Sequence, residues 1–224
     1  MRVTCENDHV RNLANFDSLI AIIVGFGKHY KPTKGGIQLE ALKVVSQNAK
    51  VAIANVNQLT DQHIHAVNLR EVAFTTLQLL NEKLANALQV TANMSEIEMY
   101  MLVGSKRVLY NQFASQSRYD FLLDNFCKVI KMIKSNPLYL PQDPELQILK
   151  LEEFYAILYF KNNEVKKVNA WLANACLIRD EVIYREHNGL VTLSAKVRTY
   201  VKYHFGWDSM QFKKVAMLDI KKGR

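Results

Sequence analysis

From Leu42 to Ala87 the chain steps by three and then four residues without a slip, and no glycine or proline falls between 37 and 103. The positions are Leu42, Val45, Ala49, Ala52, Val56, Leu59, His63, Ala66, Arg70, Ala73, Leu77, Leu80, Leu84 and Ala87, and all but His63 and Arg70 are apolar. This is the seam of a heptad pattern, one stripe of a helix turned repeatedly toward a partner. Unbroken, such a helix runs roughly 70 Å at 1.5 Å per residue. Asn55–Asp61 collects Asn, Thr and Asp and is the weakest stretch, but a turn there would shift the register. The small side chains of Ala49, Ala52, Ala66 and Ala73 would let a second helix approach closely.

The breakers cluster elsewhere: Gly25, Gly27, Pro32, Gly35 and Gly36; Pro137, Pro141 and Pro144; Gly189; Gly206. No segment combines alternation with hairpin turn chemistry. The spacing predicts an all-α protein. Leu13, Phe16, Ile20 and Ile23 form one shorter stripe, and Tyr119, Leu122, Phe126, Val129 and Ile133 another that begins near Ser117. Ser95 and Glu98 have the spacing of a capping box, residues 111–117 suit a break, and Asn188-Gly189 suits a left-handed helix C-terminus.

At a fixed offset of 109 the segment 30–42 lies over 139–151. Tyr30/Tyr139, Pro32/Pro141, Gln38/Gln147, Leu42/Leu151, Val56/Val165, Ala66/Ala175 and Arg70/Arg179 are identical, and Glu71 meets Asp180. The second seam reads Leu151, Phe154, Leu158, Lys161, Val165, Val168, Leu172, Ala175, Arg179 and Val182. Each half is thus an extended connector with Tyr and Pro followed by a long amphipathic helix. The economical reading is one all-helical domain over 1–224, a long-helix antiparallel bundle of two diverged repeats, about 30–90 and 139–205, with a basic tail at 206–224. The connectors 27–36 and 135–144 would sit at equivalent corners, giving pseudo-twofold symmetry.

Composition narrows the function class. With 49% hydrophobic and 22% charged residues the chain is in the ordinary globular range. Three widely spaced cysteines, Cys5, Cys127 and Cys176, argue against a disulfide framework or zinc knuckle. The longest apolar run, 19–27, is too short to span a bilayer, and the acidic N-terminus is unlike a signal peptide, so a cytoplasmic location is expected. Of the net charge of +8, residues 190–224 hold +6.

The segments "REVAF" (70–74), "YDFLLDNFCKVIKMI" (119–133), "YLPQDPELQ" (139–147) and "VKYHFGWDSMQFKKV" (201–215) together resemble a family of all-helical bacterial proteins of the Bacteroidota type. "GWDSMQF" departs from that family's usual Ser-Pro-Gln-Tyr turn. The resemblance implies an all-helical fold and no activity.

Arg70 and Arg179 place a permanent cation in each seam, where an unpaired buried charge would cost several kcal/mol. Neighbours one residue apart diverge on a helix, so Glu71 and Asp180 are not expected to pair with them. Asp120 and Asp124 are the expected partners. The pair reads either as an anion site or as structural ion pairs that fix register, and duplication favours the second. Asp61 with His65, and Glu6 with His9, have metal-ligand spacings, but a di-iron bundle needs four such carboxylates and two such histidines. Glu6 and His9 would lie in a frayed N-terminus, and His63 would cap a polar layer. No nucleophile motif or phosphate loop is present, "GFG" at 25–27 closes a helix, and adjacent Glu152 and Glu153 point apart. No catalytic, metal or cofactor residues are assigned.

The basic end is the remaining cue: Lys196, Arg198, Lys202, Lys213, Lys214, Lys221, Lys222 and Arg224, interleaved with Tyr200, Tyr203 and Phe212. Such a pattern suits a polyanion, whether nucleic acid, acidic protein or membrane surface, or a solvated tail packed by one edge. The sequence therefore predicts a non-enzymatic helical scaffold that binds another protein or itself. The alternative is a non-sequence-specific nucleic-acid-binding protein using the basic C-terminus.

Overall fold

The computed structural model describes residues 3–33, 35–91 and 116–222. Their helices are α1 (Val3–Val24), α2 (Leu39–Thr91), α3 (Gln116–Ser135), α4 (Ile148–Tyr184), α5 (Leu190–Phe205) and α6 (Met210–Ala216), with 3-10 turns at Gly27–His29, Gly35–Ile37 and Pro144–Leu146. No strand occurs among the described residues. The protein is an all-α helical bundle. The capping box at Ser95–Glu98 lies outside the described residues, as do residues 111–115 of the expected break; Gln116 and Ser117 already belong to α3.

α2 is continuous for 53 residues and passes through Asn55–Asp61 without interruption. The reason is visible in its burial: every seam position from Leu42 to Ala87 is buried or half-buried, His63 included. The seam of α4 is likewise turned inward at every position from Leu151 to Val182. A turn in either would throw a row of apolar side chains into water, at about 1.5–3 kcal/mol for each large one.

The chain divides into two compact units, residues 1–61 with 171–224, and residues 62–170. In the second unit one core joins Phe74, Leu77, Leu84 and Leu88 of α2, Leu122, Phe126 and Ile133 of α3, and Leu151 and Leu158 of α4. Here α2 and α4 run antiparallel, since Arg70 bonds Asn162 while Lys83 bonds Glu145. In the first unit another core joins Phe16, Leu19 and Ile23 of α1, Leu42 and Ala49 of α2, and Leu193, Val197 and Val201 of α5.

The connectors share a construction. The Tyr30 hydroxyl donates to the Ile37 carbonyl at 2.6 Å, and the Tyr139 hydroxyl to the Leu146 carbonyl at 2.6 Å. Each bond spans a 3-10 turn that opens a long helix, where Leu42 N–H donates to Gln38 and Leu151 N–H to Gln147, both at 3.0 Å. At Asn188-Gly189 the expectation is corrected. Gly189 has φ −69° and caps the start of α5, so it is not itself a left-handed helix end. Glycine is required there because a Cβ would sit 2.5 Å from the Arg185 nitrogen and 2.6 Å from its carbonyl oxygen. Among the described residues the left-handed glycines are Gly27, just after α1, and Gly206, which ends α5.

Candidate functional site

The two seam arginines are both buried, and their surroundings differ. Arg70, 6% exposed, donates to Gln116 Oε1 at 2.6 Å and to Asn162 Oδ1 at 3.4 Å, and its guanidinium carbon lies 3.8 Å from the centre of the Tyr119 ring. The expected carboxylates are not direct partners. Asp124 is exposed. Asp120 instead accepts from Asn162 Nδ2 at 2.6 Å and pairs with Lys166 at 2.7 Å, so it reaches Arg70 only through intervening amides. The longer path lets the carboxylate stay partly in water, which lowers the desolvation cost that a direct buried pair would carry. Burial pulls the Arg70 guanidinium below its ordinary value, against the opposing pull of Tyr119, Glu71 and Asp120. Burial also pushes Asp120 upward, but hydrogen bonds from Lys166 and Asn162 outweigh it and hold the carboxyl below the usual range. Gln116 and Asn162 lie off the 3-4 seam, and that is why the seam count missed them.

Arg179 departs from expectation in the opposite way. Its Nε and Nη2 both lie 2.9 Å from Oδ1 of Asp180, the adjacent residue not expected to pair with it. The backbone directions do diverge, but the long arginine side chain folds back across the helix surface to a half-exposed carboxylate. Asp180 Oδ1 also stands 3.8 Å from His9 Nε2, and His9 Nδ1 lies 2.9 Å from the Tyr184 hydroxyl. His9 is therefore buried within α1, and the frayed terminus expected there is corrected. Asp61 and His65 are exposed. No three His, Cys, Asp or Glu side chains gather into a metal-sized cluster among the described residues.

The basic end is folded against α1. Asn12 exchanges two bonds with Lys221, from Nδ2 to the carbonyl at 2.8 Å and from the Lys221 N–H to Oδ1 at 3.1 Å, and Asn15 Nδ2 donates to the Asp219 carbonyl at 2.8 Å. Val215 and Ile220 are buried in the first core. Arg198 turns inward and bonds the Leu218 carbonyl, and burial lowers its pKa. Lys196 donates to the His187 carbonyl at 2.7 Å, Lys213 lies 3.9 Å from Asp208, and Lys221 lies 2.9 Å from Asp219. Lys202, Lys214 and Lys222 are exposed; Arg224 lies outside the described residues.

A surface that the seam count passed over lies on α2 itself. In the first unit Val44, Asn48, Val51, Asn55 and Gln58 repeat the 3-4 rhythm on the exposed side of the helix. Asn48, Val51, Asn55 and Gln58, with Ala52, Ala54, Ile178 and Val182, line an open groove of about 620 Å³ that contains no charged side chain. In the second unit the rhythm continues through Gln62, His65, Leu69, Val72, Thr76 and Leu79, all exposed and none acidic or basic apart from His65. The matching positions of α4, 109 residues on, are Glu153, Ile157, Phe160, Glu164 and Lys167, and they carry the pairs Lys150–Glu153 at 2.7 Å and Glu164–Lys167 at 3.4 Å. One helix face is thus dressed for water and its counterpart is not. Applying the 3-4 count to the neighbouring face would have found it in the sequence.

Comparison with protein-family models, curated proteins and solved structures gave no match. No described helix is long and apolar enough to cross a membrane.

Proposed function

We propose that this chain is a non-enzymatic helical scaffold, built from two diverged copies of one connector-and-long-helix unit, which self-associates through the neutral outer face of α2. The observation that carries the reading is the absence of charge along Val44, Asn48, Val51, Asn55 and Gln58, next to a groove lined by Ala52, Ala54 and Ile178. Exposed helix faces ordinarily carry Lys and Glu, whereas the cores of interfaces are depleted of them.

A second copy is the occupant that fits the charge. A chain of net charge +8 repels its own copy, and a contact face free of lysine and arginine adds nothing to that repulsion. The α2 face meets that condition, and the corresponding face of α4 does not. A twofold pair also places aliphatic side chains and amides of one copy against the same kinds in the other, as an isologous interface demands. The amides at Asn48 and Asn55 would specify register at some cost in stability, as polar seam residues do in coiled coils.

Sedimentation equilibrium of the full chain tests this. Concentration-dependent dimer formation that Val51→Glu abolishes is the expected result. A chain that sediments as a monomer at every concentration would sink the reading.

A further inference from the structure

Four aromatic residues fall between 203 and 212, and the fold sorts them by polarity. Phe205 and Phe212 pack against the core of the first unit. Tyr203 and Trp207 turn outward, 88% and 68% exposed, and Met210 and Met217 join them at 67% and 84%. This is not a loose loop. Gly206, with φ 87°, closes α5 by donating to the Lys202 carbonyl at 3.0 Å, a conformation L side chains rarely adopt. Ser209 Oγ then caps α6 by accepting from the Phe212 N–H at 3.1 Å. Around the knuckle Lys202, Lys213 and Lys214 are exposed, and the acids between 190 and 224 are only Asp208 and Asp219.

Tyrosine and tryptophan combine an apolar ring with a polar tip, and they collect where water meets lipid. Methionine adds flexible apolar reach, and lysines beside such residues meet lipid phosphates. We propose that the α5–α6 knuckle docks peripherally on an anionic phospholipid bilayer. Trp207 and Met210 enter the headgroup region, and Lys202, Lys213 and Lys214 pair with phosphates. The surface is a poorer fit to single-stranded nucleic acid. Methionines offer no ring for a base to stack on, and the described arginine of this region, Arg198, is committed to the Leu218 carbonyl. This proposal does not depend on self-association through α2.

The test uses the full chain with phosphatidylcholine vesicles, with and without phosphatidylglycerol. The chain has two tryptophans, Trp171 and Trp207, so the emission change absent from Trp207→Phe is that of Trp207. The expected result is co-sedimentation with anionic vesicles only, a blue shift of Trp207 emission, and reversal by salt. Each lysine near an anionic surface contributes about a fivefold factor, so Lys213→Glu with Lys214→Glu lowers partitioning by tenfold or more. Trp207→Ala should lower it too; unchanged circular dichroism and melting of both variants exclude misfolding. Failure to bind anionic vesicles overturns the proposal, as does binding that leaves Trp207 emission unshifted. Tighter binding of a single-stranded oligonucleotide, with quenching of Trp207 that vesicles do not relieve, overturns it also and assigns the surface to nucleic acid.

Discussion

Tyr139 and Tyr30, 109 residues apart, make the same bond at the same length: each hydroxyl donates at 2.6 Å to the carbonyl seven residues on. Both rings are buried, and burial pushes both phenols above their ordinary value, Tyr139 up to about 12. Tyr30→Phe and Tyr139→Phe each leave a carbonyl without its buried donor, which costs about 1–3 kcal/mol. Urea unfolding should show similar losses for the two. A loss confined to one variant would mean that only that connector depends on its tyrosine.

The same phenols give a dependence on base. The folded state holds Tyr139 neutral, so it ionises later there than in the unfolded chain. Its contribution is complete below the ordinary value of 10.0 and disappears as pH rises toward about 12. Wild-type stability should therefore fall over that window, and Tyr139→Phe should flatten the part of the fall that belongs to Tyr139.

Much of this fold is legible in residue order because helix burial is periodic. The seams from Leu42 to Ala87 and from Leu151 to Val182 can be counted, and the structure buries or half-buries every position in them. Polar partners are harder to read, since they depend on which helices meet. Asn162 adjoins a seam lysine and gives no sign that it faces Arg70 across 92 positions of chain. Backbone direction separates Asp180 from Arg179, and the long arginine side chain evades that rule. The basic end reads as a tail by composition, but two asparagines on α1, more than 200 residues away, tie it down.

Asn162 is the residue on which the Arg70 layer turns, being 1% exposed and bonded to Arg70, Gln116 and Asp120. Asn162→Leu strips all three and should cost about 2–3 kcal/mol, because Gln116 and Asp120 lose a close buried partner and Arg70 keeps only Gln116 and the Tyr119 ring. Arg70→Leu removes the charge itself and should be near neutral or mildly stabilising. In a double-mutant cycle the cost of Asn162→Leu should shrink in the Arg70→Leu background. Additive costs would show that the amide and the arginine act independently.

The partner of Arg179 predicts a contrast. The Asp180 side chain is 47% exposed, so its pair with Arg179 is screened by water and worth below about 1 kcal/mol. Asp180→Asn should therefore change the denaturation midpoint little, and salt should erase the difference. A loss comparable to that of Asn162→Leu would mean that Asp180 supports the His9–Tyr184 contact as well.

Gly189→Ala tests whether α5 depends on a close backbone approach. The added Cβ would stand 2.5–2.6 Å from backbone atoms of Arg185, which cannot swing away as a side-chain tip could. Relief requires moving the α4–α5 junction, with Leu190 and Leu193 buried just beyond it. The expected loss is about 2–4 kcal/mol, the range of substitutions that force backbone strain into a packed core. Gly36→Ala is the control: its Cβ would meet only the Leu193 side chain at 3.7 Å, an ordinary contact.

The matched faces of α2 and α4 supply an internal control for self-association, because Val51 and Phe160 stand 109 residues apart and are both exposed. A glutamate at either position adds the same charge to a solvent-facing helix surface, and neither should unfold the chain. Val51→Glu places that charge in a groove without charged lining, where pairing with a second copy would bring two carboxylates together in a desolvated site. It should weaken a dimer by at least tenfold, since each 1.4 kcal/mol is a factor of ten and burying an unpaired charge costs more than that. Phe160→Glu falls among Glu153, Glu164 and Lys167, on a face already dressed for water, and should leave the dimer intact. Sedimentation of the two variants beside wild type distinguishes an interface on α2 from one on α4, and equal weakening by both would place the contact on neither face alone.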